Sequence, residues 1–419
     1  MGGVEKDTPS DPVGQMEYAS ADDDQTNSDH APQDTESSEI RILRPKSREG
    51  LPRKMYEHYR KFPSSQHQGH ILTLLPGPLP SYDTVLSRVA KFVEGLQSDS
   101  TDAVGIEVAQ GVYVLNHRFN GNRFTASSGF PLQVEFHRFK NGNSLDRDLM
   151  RHLTHTFRAI GTIERVNAVV LKAAPLASGK QCFSAGADIT TMAELRSAEA
   201  ATTFIKLISN LCTAIRDLPA PVVAAIDGPC IGAGLEMAAS CDLRVGTSSA
   251  TFSMPEVILG IPSVVEARLL CDIVGWARAR HLMFTGCTWS APEALQAGLI
   301  TAQFDHSKDM SSWIASFIET GNSSFQVYKD QKALMRKWED SSIDEGIAAG
   351  IESFANRFRD PALRKKVTGL IGKRLKKPVV KNFPHTKKLD LQQGRTKSDK
   401  NGLQEDKSTS VDPQEEQPQ

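Results

Sequence analysis

Two glutamates, Glu236 and Glu256, are the residues of this chain whose type and setting could do chemistry. The first lies in a run of small and apolar residues, 220–242, and the second closes Thr251-Phe-Ser-Met-Pro-Glu256. Neither has a Lys or Arg close by in sequence. A carboxylate in apolar surroundings is costly to keep ionised. Two such groups facing one cavity could give and take protons on a neutral substrate. The competing interpretation of each is a surface or structural carboxylate.

The elements that must position them alternate in type. Leu145, Leu149, Leu153 and Phe157 give 144–163 a helical period, and Phe204, Ile205, Ile208, Leu211 and Ile215 do the same for 197–218. The runs 167–172 and 221–226 are short and β-branched, as buried strands are. Strand–helix alternation predicts an α/β protein. From Val264 onward the pattern is mostly helical, over 264–275, 276–284, 291–297, 309–320 and 324–357.

The ends of the chain differ from this middle. Residues 1–40 are acidic and polar and cannot build a core, so 1–65 is expected to be a disordered extension. The basic run 41–61 reads as a solvated linker ahead of a nucleic-acid patch. Residues 375–419 are expected to be a disordered tail around a folded region, 80–374. The net charge of −1 over 419 residues does not favour a nucleic-acid partner. No apolar run is long enough for a membrane span. The six cysteines form no C-x-x-C pair, and there is no H-E-x-x-H, so neither disulfides nor a metal site is expected. No transit-peptide, myristoylation or S-K-L-type signal is recognised, and the expected compartment is the cytoplasm, with peroxisome and mitochondrion as the alternatives.

Four blocks, in order, resemble the crotonase (enoyl-CoA hydratase/isomerase) superfamily: Arg138-Phe-Lys-Asn-Gly-Asn-Ser-Leu145, Phe183-Ser-Ala-Gly-Ala-Asp-Ile189, Gly228 to Asp242, and Pro255-Glu-Val-Ile-Leu-Gly-Ile-Pro262. The resemblance covers about 132–374. It implies an α/β fold, a crotonase-like ββα spiral with a helical C-terminal trimerisation region, and a homotrimer or dimer of trimers. It implies an acyl-CoA substrate and no cofactor beyond the coenzyme A of that substrate. The backbone N–H groups of Ala187 and Ala233 match the family's oxyanion hole, in which one lost donor costs roughly 3 kcal/mol in barrier. Glu236 and Glu256 match the family's two glutamates, as base and acid in turn. Lys140, Ser144, Ala185, Gly186, Asp188, Gly232, Lys332 and Lys373 fall where the family binds substrate and CoA. From the residues alone, Ala185 to Asp188 is a tight turn whose Asp188 caps the next helix.

Two departures stand out. Where many hydratases continue Pro-Gly-x-Gly-Gly after the second glutamate, this chain has Pro262-Ser-Val-Val-Glu-Ala-Arg268. That brings in a third carboxylate, Glu266, for which a helix-start role outweighs a catalytic one. The family's opening hairpin also looks interrupted. Tyr82-Asp-Thr-Val-Leu86 suits its first strand and Leu132-Gln-Val-Glu-Phe136 its second, which makes 88–131 an insertion; alternatively Val104 to Arg118 supplies the first strand. The expected reaction is hydration of a 2-enoyl-CoA or the reverse. A double-bond isomerase ranks second, since it needs one carboxylate where this chain has two. A non-catalytic binding module ranks third.

Overall fold

The computed structural model describes residues 41–43, 70–73, 80–97, 103–116, 129–139, 141–321 and 325–371. Of the two units into which the chain divides, Met1–Glu39 lies outside the described residues, and the fold below belongs to Ile40–Gln419. The tail 375–419 and most of 1–65 also lie outside them.

Among the described residues nine strands form one sheet, in the order β1 (Arg41–Leu43), β2 (His70–Thr73), β3 (Ala103–Ala109), β4 (Val112–Asn116), β5 (Phe130–Phe136), β6 (Val166–Ala173), β7 (Val222–Ile226), β9 (Leu243–Thr247) and β12 (Ala302–Phe304). A second sheet holds three short strands, β8 (Pro229–Ile231), β10 (Thr251–Ser253) and β11 (Thr288–Ser290). The helices are α1 (Tyr82–Gln97), α2 (Arg147–Gly161), α3 (Ile189–Ala193), α4 (Ala198–Arg216), α5 (Ala233–Ala239), α6 (Ala267–Val274), α7 (Trp276–Thr285), α8 (Ala291–Ala297), α9 (Ser307–Gly321), α10 (Phe325–Glu339), α11 (Ile343–Arg357) and α12 (Pro361–Ile371). A 3₁₀ turn spans Pro255–Leu259.

In the large sheet β5, β6, β7, β9 and β12 run parallel, and β6 and β7 are almost wholly buried. A parallel sheet is covered on both faces, which is why its strands read as continuous apolar runs. Leu149, Leu153 and Phe157 of α2 and Phe204, Ile208 and Leu211 of α4 share one core with this sheet. On the other face, Met310, Trp313, Ile314 and Ile318 of α9 cover Ala168, Val170, Val223 and Val245. Ile314 and Ile318 therefore face their own sheet.

The opening segment differs from expectation. Tyr82–Leu86 begins α1 and is no strand. Val85, Val89, Phe92 and Val93 are its buried side, with the spacing of a helix, which a five-residue window hides. The alternative first strand is the one present: β4 pairs antiparallel with β5, Val114 opposite Val134, and β3 pairs with β4. Residues 88–131, expected to be an insertion, carry the rest of α1 and both β3 and β4. The helical run 324–357 is broken in two. Ser342 caps α11 with a Ser–Glu345 capping box, so α10 must end before it.

Candidate active site

β8 and β10 lie side by side and parallel, with Ile231 opposite Ser253. Each strand ends just before a glutamate. β8 runs through Gly232 into α5, whose first turn carries Glu236. β10 runs through Met254 into the 3₁₀ turn, which carries Glu256. Gly232 N–H donates to Ser253 O at 2.9 Å and fastens the two ends together. Gly232 has φ +51, and a β-carbon there would come within 2.5 Å of Glu256 Oε1. The residue must be glycine both for its conformation and for the nearness of the second glutamate.

The turn 184–188 closes on the same point. Ile231 N–H bonds Ser184 O at 2.9 Å. Gly186 has φ +89, and a β-carbon on it would sit 2.7 Å from Ile231 O and 3.4 Å from Ala233 N. The Ala187 and Ala233 turns are thus in contact. Leu145 bonds on either side of Ala187, through Gly186 O and the Asp188 N–H, which leaves the Ala187 N–H directed away from it. Ala233 N–H opens a helix, where the first amides have no intrahelical acceptor, and its φ is not positive.

Electrostatics sets the two glutamates apart. Glu236 is only 3% exposed. Burial first, then the negative charge of Glu256, push its carboxyl up to about 8. The Ala267 N–H, 3.0 Å from Glu236 Oε1, pulls the other way, and Glu266 adds a smaller upward push. Glu256 is half-buried and also raised by burial, an effect opposed by the Ser263 hydroxyl that donates to its Oε2 at 3.2 Å. One segment, 263–267, therefore supplies a donor to each glutamate. It is the segment in which glycines are replaced. Val265, where the family pattern has glycine, takes φ +53. A β-branched residue in that conformation carries a strain of about 1–2 kcal/mol. Glu266 turns away from the pair toward Arg216, 3.4 Å off, so it is not a third member of the site.

Residues 131–377 match the sequence pattern of the family described as enoyl-CoA hydratase/isomerase. The chain belongs to that family. It is 33% identical over 244 residues to a short-chain-enoyl-CoA hydratase of Clostridium acetobutylicum, covering 58% of this chain and 91% of that one. It is 31% identical over 168 residues to the mitochondrial methylglutaconyl-CoA hydratase of Homo sapiens, covering 40% of this chain and 48% of the relative. The crystal structure of an enoyl-CoA hydratase of Mycobacterium smegmatis superposes with a TM-score of 0.54 at 26% identity, over 57% of this chain and 92% of that one. The fold is the crotonase fold, and the family is one of enzymes.

The remaining residues suggested by the family pattern fall into three groups. Ala185, Gly186 and Gly232 line the turns just described. Ser144 and Asp188 are buried and serve the frame: Ser144 Oγ and Arg138 Nη1 donate to Asp188 Oδ2 at 2.9 and 2.6 Å, and Thr191 N–H donates to Oδ1 at 2.8 Å. Burial alone would raise Asp188, but these three donors hold it well below the usual carboxylate range. Asn143, at φ +53, completes the frame by donating to Ala174 O and Cys182 O. Lys332 is not presented to a ligand. It is 6% exposed, and its ammonium meets Asp242 Oδ2 at 2.7 Å and the carbonyls of Ile215 and Ala220. Lys140 and Lys373 lie outside the described residues. Among the described residues no cluster of three or more His, Cys, Asp or Glu could hold a metal, and no helix is long and apolar enough to cross a membrane.

Sequence reasoning missed Ser263 and the Ala267 N–H. Their signal was faint: a donor on the backbone has no residue type, and a serine in place of glycine reads as a loss rather than a gain.

Proposed function

We propose that the chain adds water to a 2-enoyl-CoA thioester, or removes it from the 3-hydroxyacyl-CoA, with Glu236 and Glu256 as the proton carriers. The observation that carries this is the pairing of β8 with β10, which delivers two partly desolvated carboxyls to one place. In hydration, the ionised Glu236 takes a proton from water as its oxygen bonds C3. The thioester carbonyl becomes an enolate, held by the Ala187 and Ala233 N–H groups. Glu256 then gives its proton to C2. The step ends with Glu236 protonated and Glu256 ionised; dehydration runs from that state backwards. Because Glu236 is the more strongly raised, a single proton on the pair rests there, which is the arrangement that starts dehydration.

Similarity to a short-chain and to a methylglutaconyl-CoA hydratase supports a short or compact acyl group. Trimeric assembly and coenzyme A phosphate contacts by Lys140 and Lys373 belong to the same reading. The test is incubation with enoyl-CoA thioesters of varied length and branching, followed by mass spectrometry. A gain of one water is the expected result. Conversion without any mass change would favour a double-bond isomerase, in which Glu236 alone moves a proton between C2 and C4.

A further inference from the structure

We infer that Glu266 and Arg216 form a positioning pair, which holds the turn 263–267 so that the Ala267 N–H stays on Glu236. The inference rests on the reading of Glu236 as a proton carrier. Glu266 is buried at the start of α6, and its Oε2 lies 3.4 Å from Arg216 Nη1. Arg216 sits in the last turn of α4, where a cation suits the helix end, and its Nη2 is 3.5 Å from Glu339 of α10. The turn itself would not choose its conformation. Val265 is left-handed at φ +53, a state that persists in a β-branched residue only where its neighbours impose it. Glu266, the next residue, is the one fixed by an ion pair.

The Ala267 N–H is shared. It bonds Val264 O at 3.0 Å within the turn and Glu236 Oε1, also at 3.0 Å. A turn free to relax keeps the first acceptor, which is local, and gives up the second. Three titratable groups lie near enough to act on Glu236 through their charge: Glu256 of the 3₁₀ turn, Glu266 at the start of α6 and Cys212 of α4. Arg216 reaches this cluster through Glu266.

The two possible roles of Glu266 have opposite signs. As a bare charge beside Glu236 it favours the protonated form. As the anchor of the Ala267 N–H it favours the ionised form, and that hydrogen bond is the stronger of the two influences. Glu266→Ala separates them. With crotonyl-CoA as the probe, the alkaline limb of kcat/KM should move up by about one pH unit. Loss of charge alone would move it down. In an Arg216→Ala background, where the anchor is already gone, Glu266→Ala should show only the downward shift. Amide hydrogen exchange of the peptide spanning 264–270 gives a readout independent of any substrate: Ala267 should lose protection in Glu266→Ala and in Arg216→Ala. A limb that falls or stays in place, or unchanged protection at Ala267, overturns the pairing. Glu236→Gln in the same panel keeps the two ideas apart. Full turnover in that variant would sink the proton-carrier reading, not the anchor.

Discussion

Gly232 and Glu256 fit together so closely that the smallest side chain on the first would strike the second: a β-carbon would lie 2.5 Å from Glu256 Oε1. Both residues follow strands that pair in register and are tied by the Gly232–Ser253 hydrogen bond, so the Glu256 side chain is the part that must give way. Gly232→Ala should therefore lower turnover by at least about a hundredfold by displacing the carboxylate. The backbone of Gly232, at φ +51 and ψ −124, adds about 1–3 kcal/mol of destabilisation for any other residue. Steady-state kinetics beside a thermal melt checks this; a variant that melts earlier but turns over normally would show that Glu256 is not needed where it stands.

The pair of glutamates also dictates a pH profile. Hydration needs one of them protonated and the other ionised, so it proceeds only while the pair holds one proton. That proton is lost as the pH rises through about 8, the value to which Glu236 is raised. Hydration should fall about tenfold per unit above that point. An isomerase using Glu236 alone as base would gain activity over the same range. A pH series of kcat/KM, run on the thioester that the mass-spectrometric panel identifies, decides between them.

Much of this site was legible because its chemistry is written in side chains. Glu236 and Glu256 stand out as carboxylates among small apolar residues, and the central strands β6 and β7 read as continuous apolar runs. The pairing of β8 with β10 is another matter. Each has three residues, too few to show a period, and their adjacency depends on the path of the whole chain. The surroundings of Lys332 are hidden for a related reason: its partners, Asp242 and two carbonyls, come from elements about a hundred residues away. Tyr82–Leu86 shows the opposite error: too short a window made the first turn of a helix resemble a strand.

The raised pKa of Glu236 makes it a cost to the fold when ionised. The folded protein keeps a proton there that the unfolded chain releases near 4.5, so stability falls as the pH rises from about 4.5 to about 8. Glu236→Gln removes that cost. The variant should match the wild type at pH 4 and exceed it above pH 8 by roughly 2–4 kcal/mol. Urea denaturation at several pH values would show a gap that widens through this window. A constant gap would mean that Glu236 is not buried as described.

Lys332 makes a different prediction. Its ammonium is the buried partner of Asp242 and joins α10 to the end of α4. Lys332→Met should cost about 3 kcal/mol, because it leaves the Asp242 carboxylate without its cation. The KM for a CoA thioester should be unchanged in the folded fraction. A KM raised tenfold at unchanged stability would restore the role in CoA binding that the family pattern had suggested.

The last prediction concerns assembly. α11 presents Ile343, Ile347, Ile351 and Phe354 at 82, 57, 67 and 67% exposure. These positions recur at helical spacing and form one apolar stripe, whereas Ile314 and Ile318 of α9 are used up against their own sheet. A continuous exposed stripe of this kind marks a contact surface. We expect the stripe to be covered by another copy of the chain, as the trimeric reading proposed above requires. Light scattering at micromolar concentration should return a trimer or hexamer. Replacing Ile347 and Ile351 together with Glu should reduce it to monomers while the circular dichroism of the fold persists. A wild-type monomer, or a double variant that assembles normally, would place the subunit contact elsewhere.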